Sequence, residues 1–250
     1  MKRFMYFSVM ALSLAVSVLF HGIAIPQSIS VFYDCNELPG PWNITGNGNV
    51  LGSAEYHHLL DVNDGILTMS DPDTRQWIWL EYINPSIGLA TDFYIEVRVK
   101  VVSNNDEIAS PTITLGNFNS ARPFDNRLNF LYTLDLYPER LEFFRVDNET
   151  IYDATLLGTH SIPDFSTTFH EIIMHMQQNS GRNITVYVDG MPVIVITGET
   201  TEQPLNCVAV AHGRAVGVGI SEWDYINFET TAPVSTEQST WGDIKDQFKK

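Results

Sequence analysis

The chain has 250 residues and carries 14 Lys and Arg against 30 Asp and Glu, a formal net charge of −16 at pH 7. That length fits one domain with a sizeable core. The acidity argues against a nucleic-acid groove or an anionic-membrane patch, since each needs the opposite sign.

Taken in chain order, Lys2 and Arg3 precede an apolar run at residues 4–20, and "HGIAIPQS" supplies small residues and a proline after it. A basic start, an apolar middle and a small-residue zone are the layout of a secretory signal, so a signal helix is expected over 1–24, cut after Ala24. The run is short for a membrane span, and no later segment is apolar enough to cross. The processed protein is therefore expected outside the cytoplasm, secreted or in the cell envelope, with no membrane span. Losing Lys2 and Arg3 leaves 12 bases against 30 acids, a net of −18.

Cys35 and Cys207 are the only cysteines. Export permits a disulfide, and a Cys35–Cys207 bridge is expected, with two buried thiols as the alternative. So large a ring corresponds to up to ~5 kcal/mol in the loop-entropy relation. Asn43, Asn148 and Asn183 head N-x-[ST] sequons, which matter only in a host that glycosylates them.

The body reads as β throughout. "RQWIWLEY" (75–82) places Trp77, Trp79 and Glu81 on one face and Ile78, Leu80 and Tyr82 on the other. "FYIEVRVKV" (93–101) alternates cleanly, with Tyr94, Glu96, Arg98 and Lys100 on its polar face. Strands are expected at 128–137 and 141–146, joined by a Pro-Glu-Arg turn, and at 169–176, 207–212 and 215–220. "ITVYVDGMPVIVI" (184–196) predicts a hairpin, because Asp189-Gly190 suits the positive φ of a type I′ turn. About a dozen short strands predict an all-β fold, a two-sheet antiparallel sandwich over 29–230. Residues 231–250 read as a polar linker and a short amphipathic tail, with Trp241, Ile244 and Phe248 on one helical face. The tail resembles the short Trp-Gly-x-Ile/Val-Lys ending of some exported bacterial proteins.

Three stretches carry a family resemblance. "FHEIIMHMQQNSGRNITVYVDGMPVIVI" resembles the strand, turn and hairpin of concanavalin A-like lectin/glucanase domains. "VGVGISEWDYINF" resembles their closing strand. "FYDCNELPGPWNITGNG" followed by "DGILTMS" is similar to their opening. The resemblance implies a jelly-roll sandwich preceded by the signal helix and followed by the tail. That superfamily holds lectins, adhesive laminin-G-like modules, carbohydrate-binding modules and glycoside hydrolases, so fold alone does not choose a function.

The chemical motifs narrow the choice. "HEIIMH" (170–175) lacks zincin spacing, and on a strand its two histidines take opposite faces. The acidic turns "DVNDG" (61–65), "DPD" (71–73), "NNDE" (104–107) and "DNE" (147–149) offer oxygen ligands, and a structural calcium is possible without a specific loop to hold it. Laminarinase-type members of the resembled superfamily carry Glu-x-Asp-x-x-Glu or Glu-x-Asp-x-Glu on one strand. Here Glu222-x-Asp224 is followed by Ile226 and Asn227, so the third acid is missing, and strict alternation sets Ile226 and Phe228 beside Asp224. Similar 3-keto-disaccharide hydrolase domains carry Asn-Ser-Gly after the second long strand, where this chain has Asp-Glu-Ile. A binding site needs only aromatic rings and a few polar groups. Trp77, Trp79 and Glu81 can supply these, flanked by Tyr94, Glu96 and Arg98 if their strands pair, although two indoles at i, i+2 spacing are more often a core face or a sheet–sheet contact.

The sequence therefore favours an exported, non-catalytic carbohydrate-binding or surface-interaction module. The glycan or surface partner would lie on the Trp face. A glycoside hydrolase using Glu222 and Asp224 is the alternative, and a structural or adhesion envelope protein is the second.

Overall fold

The structure, a computed structural model, describes residues 28–37, 43–46, 49–50, 60–71, 78–84, 87, 91–104, 111–118, 128–147, 154–178, 181–199, 205–212 and 219–231. These all belong to one compact unit, Ser28–Pro233. The expected signal segment, most of the tail, Trp77 and Asn148 lie outside the described residues. Among the described residues no helix is long and apolar enough to cross a membrane.

Among the described residues, sixteen strands follow in order. They are β1 (Ser30–Tyr33), β2 (Asn43–Gly46), β3 (Asn49–Val50), β4 (Leu60–Asn63), β5 (Ile66–Asp71), β6 (Ile78–Ile83), β7 (Asp92–Asn104) and β8 (Thr112–Phe118). The second half holds β9 (Leu128–Tyr137), β10 (Arg140–Asp147), β11 (Ala154–Ser161), β12 (His170–Gln178), β13 (Arg182–Val188), β14 (Met191–Glu199), β15 (Cys207–His212) and β16 (Gly219–Thr231).

Sheet I has the order β14-β13-β12-β7-β16-β5-β4, with β1 also pairing β16. Sheet II has the order β11-β10-β9-β8-β15-β6-β2-β3. All pairings are antiparallel, and the two sheets form a jelly-roll sandwich. Alternation does most of the work. Phe93, Ile95, Val97, Val99 and Val101 of β7 are all fully buried, and so are Ile172, Met174 and Met176 of β12 beside it. Sheet II answers with Leu80, Ile113, Leu115, Leu134, Leu141, Phe143, Val208 and Val210. Trp223, Phe228, Tyr132 and Phe165 are the largest side chains closed inside.

The expected Asp189-Gly190 hairpin is present, with φ of 49° and 76°, as a type I′ turn requires. "DVNDG" forms a second such turn between β4 and β5, at Asp64 (φ 51°) and Gly65 (φ 78°). Asp64 is a turn residue and Asp61 belongs to β4, and no metal-holding group of three His, Cys, Asp or Glu occurs among the described residues. At one side of the sandwich the edge strands β11 and β14 meet. Gly158 is required there, since a Cβ on it would sit 2.7 Å from Ile194 Cγ2. Arg145 of β10 and Glu199 of β14 add an ion pair across the same seam, at 2.5 Å.

The expected Cys35–Cys207 bridge is not formed, and both are buried free thiols. Cys35 follows β1 in the core cluster and takes a backbone hydrogen bond from Leu67 of sheet I. Cys207 precedes the core residue Val208, so its side chain points away from sheet I altogether. Packed sheets lie about 10 Å apart, beyond the Cα reach of a disulfide, about 7 Å.

Candidate functional site

The outer face of sheet II is built from the positions that alternate with its core residues. On β6, Ile78 and Leu80 enter the core, so Trp79 and Glu81 turn outward. By the same rule Ala209 and Ala211 of β15, Thr112, Thr114 and Gly116 of β8, Thr133 and Asp135 of β9, and Glu142 and Phe144 of β10 turn outward. The registers align them in two rows. One runs Glu81, Ala209, Thr114, Thr133, Phe144, and the other Trp79, Ala211, Thr112, Asp135, Glu142.

Side-chain size makes this face a trough. Alanine, threonine and glycine floor β15 and β8, between larger side chains on β6 and on β9 and β10. From β6 to β9 is three strand spacings, about 14 Å between backbones. The polar residues of this face are sealed, on the floor and at the foot of its walls: Thr114 of β8 is 1%, Asp135 of β9 0% and Glu81 of β6 2% exposed, although all face away from the core. Trp79, Glu142 and Phe144 on the walls are half-buried. Buried polar groups must find partners, and the floor supplies a directed chain. The Thr114 hydroxyl donates to Thr133 Oγ1 at 3.4 Å, and Thr133 Oγ1 donates to Asp135 Oδ1 at 3.0 Å. At the β9–β10 end, Arg140 Nε donates to Glu142 Oε1 at 2.8 Å while its guanidinium lies 4.3 Å from the Tyr137 ring centroid. Burial, and then the nearby Glu81 charge, raise the Cys207 thiol well above its ordinary range. It is no thiolate nucleophile.

The expected acids of β16 lie elsewhere, on the outer face of sheet I. A β-bulge between Trp223 and Tyr225 breaks the alternation. Trp223, Ile226 and Phe228 therefore enter the core, and Asp224 stands outside with Glu222. This corrects the placement of Asp224 beside Ile226 and Phe228. Each acid is held by a base of β7: Glu222 by Lys100 at 2.6 Å, and Asp224 by Arg98.

Tyr94, Glu96 and Arg98 share that face and do not flank Trp79 and Glu81, which is a second correction. β7 pairs with β12 and β16 in sheet I, whereas β6 pairs with β2 and β15 in sheet II. The two histidines of "HEIIMH" take opposite faces as expected. His170 is buried, its ring edge-on to Phe165, and His175 stacks on Tyr94 outside. Of the sequons, Asn43 opens β2, and Asn183 on β13 accepts the Gly198 amide through Oδ1 at 3.0 Å.

Asp135 was missed by sequence reasoning, though a signal existed. Set against the Glu-x-Asp-x-(x)-Glu pattern, "YTLDLYPER" on β9 reads Thr133-x-Asp135-x-Tyr137-Pro138. Only the central acid is present.

No protein-family model matches the sequence, and no curated protein matches it. Solved structures do match its fold. An endo-1,3-β-glucanase from Streptomyces sioyaensis superposes with a TM-score of 0.53 at 11% identity, covering 85% of this chain and 99% of that one. The exoplasmic/lumenal domain of VIP36, solved with Ca2+ and Man3GlcNAc, gives 0.52 at 15% identity, covering 84% and 92%. The CBM2 module of the evolved Dit of Lactobacillus casei BL23 phage J-1 gives 0.50 at 13%, covering 83% and 98%. The fold is thus the concanavalin A-like lectin/glucanase jelly roll.

Proposed function

We propose that this is an exported, non-catalytic carbohydrate-binding module whose ligand lies in the trough of sheet II. The observation that carries the reading is the Thr114–Thr133–Asp135 chain, a polar array facing away from the core beside the Trp79 wall. A sugar enters between Trp79 on one side and Glu142 and Phe144 on the other. Its apolar face packs on the indole, and its hydroxyls meet the half-buried Glu142 carboxylate, behind which the buried Thr114–Thr133–Asp135 chain lies. Fold neighbours that include a glycan-bound lumenal domain and a carbohydrate-binding module support the same class.

Hydrolysis fits the trough less well. Two carboxyls must lie about 5–5.5 Å apart for retention or about 6.5–9.5 Å apart for inversion. Glu81 and Asp135 sit on strands three spacings apart and in different rows, so their backbones are more than about 14 Å apart. Glu142 stands directly opposite Asp135, but Arg140 holds it at 2.8 Å and Asp135 is fully buried. Glu222 and Asp224 are tied to Lys100 and Arg98 on the other sheet.

A glycan array and a polysaccharide pull-down test the proposal on the wild type, Trp79→Ala and Glu142→Gln. Binding by the wild type that falls at least about tenfold in both variants is expected, for the loss of one stacking surface or one charged acceptor. A wild type silent in both assays would reject glycan binding. Reducing-sugar release by the wild type would reject the non-catalytic reading.

A further inference from the structure

The solvent side of an antiparallel sheet ordinarily alternates to polar residues. The outer face of sheet I departs from that. Phe32 of β1 is 60% exposed and Tyr94 of β7 38% exposed. Both rings are held in place: Phe32 stacks on Tyr225 at 6.1 Å between centroids, and Tyr94 on His175 at 4.1 Å. The two lie in adjacent outward rows, since Phe32 is opposite Asn227, which is opposite Glu96, and Ser30 is opposite Glu229, which is opposite Tyr94.

The charge around these rings is one-sided. Arg98 and Lys100 are spent on Asp224 and Glu222. Among the described residues no Lys or Arg forms an ion pair with Glu96, Glu171 or Glu229: Arg98 stands opposite Glu171 but bonds Asp224, and Glu229 takes only the Asn227 amide, at 3.4 Å. Glu96 and Glu171 both approach the Tyr225 hydroxyl, at 2.7 and 3.2 Å. That hydroxyl has one proton for two carboxylates, so the site has acceptors in excess of donors. Carboxylates beside exposed rings, short of donors, complement a planar cation that both stacks and donates.

We propose that the outer face of sheet I docks an arginine-bearing segment of a partner protein. Guanidinium matches the site better than ammonium does. It is flat, carries five donors in a fixed fork, and sheds water more readily. The same sheet already contains the arrangement in miniature, where Arg98 bonds Asp224 while its guanidinium carbon lies 5.4 Å from the Phe169 ring centroid. Sheet I faces away from the trough, so this surface and the glycan reading stand or fall separately.

The test is fluorescence anisotropy of labelled (Arg-Gly)4 and (Lys-Gly)4 peptides with the full chain at ~0.1 M salt, where distant charges are screened. The Arg peptide should bind about fivefold tighter than the Lys peptide, the equivalent of one good ring contact. Phe32→Ala, an exposed change, should erase that preference. Glu96→Gln with Glu171→Gln should weaken both peptides, and Trp79→Ala should weaken neither. Equal Arg and Lys affinity insensitive to Phe32→Ala would reduce the effect to diffuse attraction and overturn the proposal. So would the absence of micromolar binding by either peptide, or a neutral glycan whose binding depends on Phe32.

Discussion

Acidification probes the join between the two sheets. His212 ends β15 in sheet II, fully buried, and its Nδ1 lies 3.1 Å from Ser221 Oγ on β16 in sheet I. Trp223 Nε1, which can only donate, donates to the same oxygen at 2.9 Å. The serine hydroxyl and Nδ1 share one hydrogen bond, and Nε2 lies beside Gly219. Burial lowers the imidazole from 6.5 to about 4, and a backbone hydrogen bond at Gly219 offsets this only in part. A group that resists protonation when folded but not when unfolded draws the unfolded state down as pH falls. Stability is therefore fully retained above the unfolded value and is lost between pH 6.5 and about 4. The shift corresponds to about 3 kcal/mol in all. Urea unfolding of the wild type and His212→Asn across that window measures it. The Asn oxygen keeps an acceptor for Ser221 and removes the titration. The variant should start less stable at pH 7.5 and lose less on acidification, so the two curves converge towards pH 4. Parallel curves would refute the assignment of a neutral, buried imidazole at the sheet junction.

Three further outcomes follow from the packing. Gly158→Ala should cost about 1–3 kcal/mol, because the new methyl overlaps Ile194. Ile194→Val should recover part of it in the double variant, and additivity would contradict the contact. Cys35 and Cys207 should resist alkylation when folded, since burial pushes Cys35 up to about 12 and Cys207 well above its usual range. Both should label in urea without reductant, and a mass showing neither labelled would restore the disulfide. Glu222→Gln should lower stability by no more than about 1 kcal/mol, as befits a part-exposed ion pair. It should leave glycan binding unchanged, and a loss of binding would move the ligand to sheet I.

The fold was legible because its signals are local and repeated. Clean alternation in β7, β12 and β13, and a type I′ dipeptide at Asp189-Gly190, define strands without tertiary help. β8 was less legible because both its faces are buried: Thr112 and Thr114 on one side and Ile113 and Leu115 on the other erase the polar half of the pattern. β11 failed for the opposite reason, as an edge strand with no buried position and Leu156 53% exposed. The cysteine pairing failed on orientation. Sequence places both residues near strands, and only the register shows that Cys207 faces outward.

The candidate site was legible in part, at Trp79 and Glu81, because "WIWLEY" displays its outward residues plainly. Which strands lie beside it was not, because β6 and β7 are neighbours in sequence but belong to different sheets. The β16 acids show how a conclusion can survive the loss of its reason. Strict alternation dismissed Asp224 by burying it beside Ile226 and Phe228. The bulge at Trp223 puts it outside, and there Arg98 neutralises it instead. The acid that does face the trough, Asp135, lacks both carboxyl companions of the glucanase pattern, with Thr133 in the first place and Tyr137 or Pro138 in the last. Buried and fed by threonine hydroxyls, it is an acceptor pole that braces this face. Its cross-strand neighbour Glu142 is held by Arg140, whereas cleaving a glycosidic bond would need two carboxyls at work across the bond.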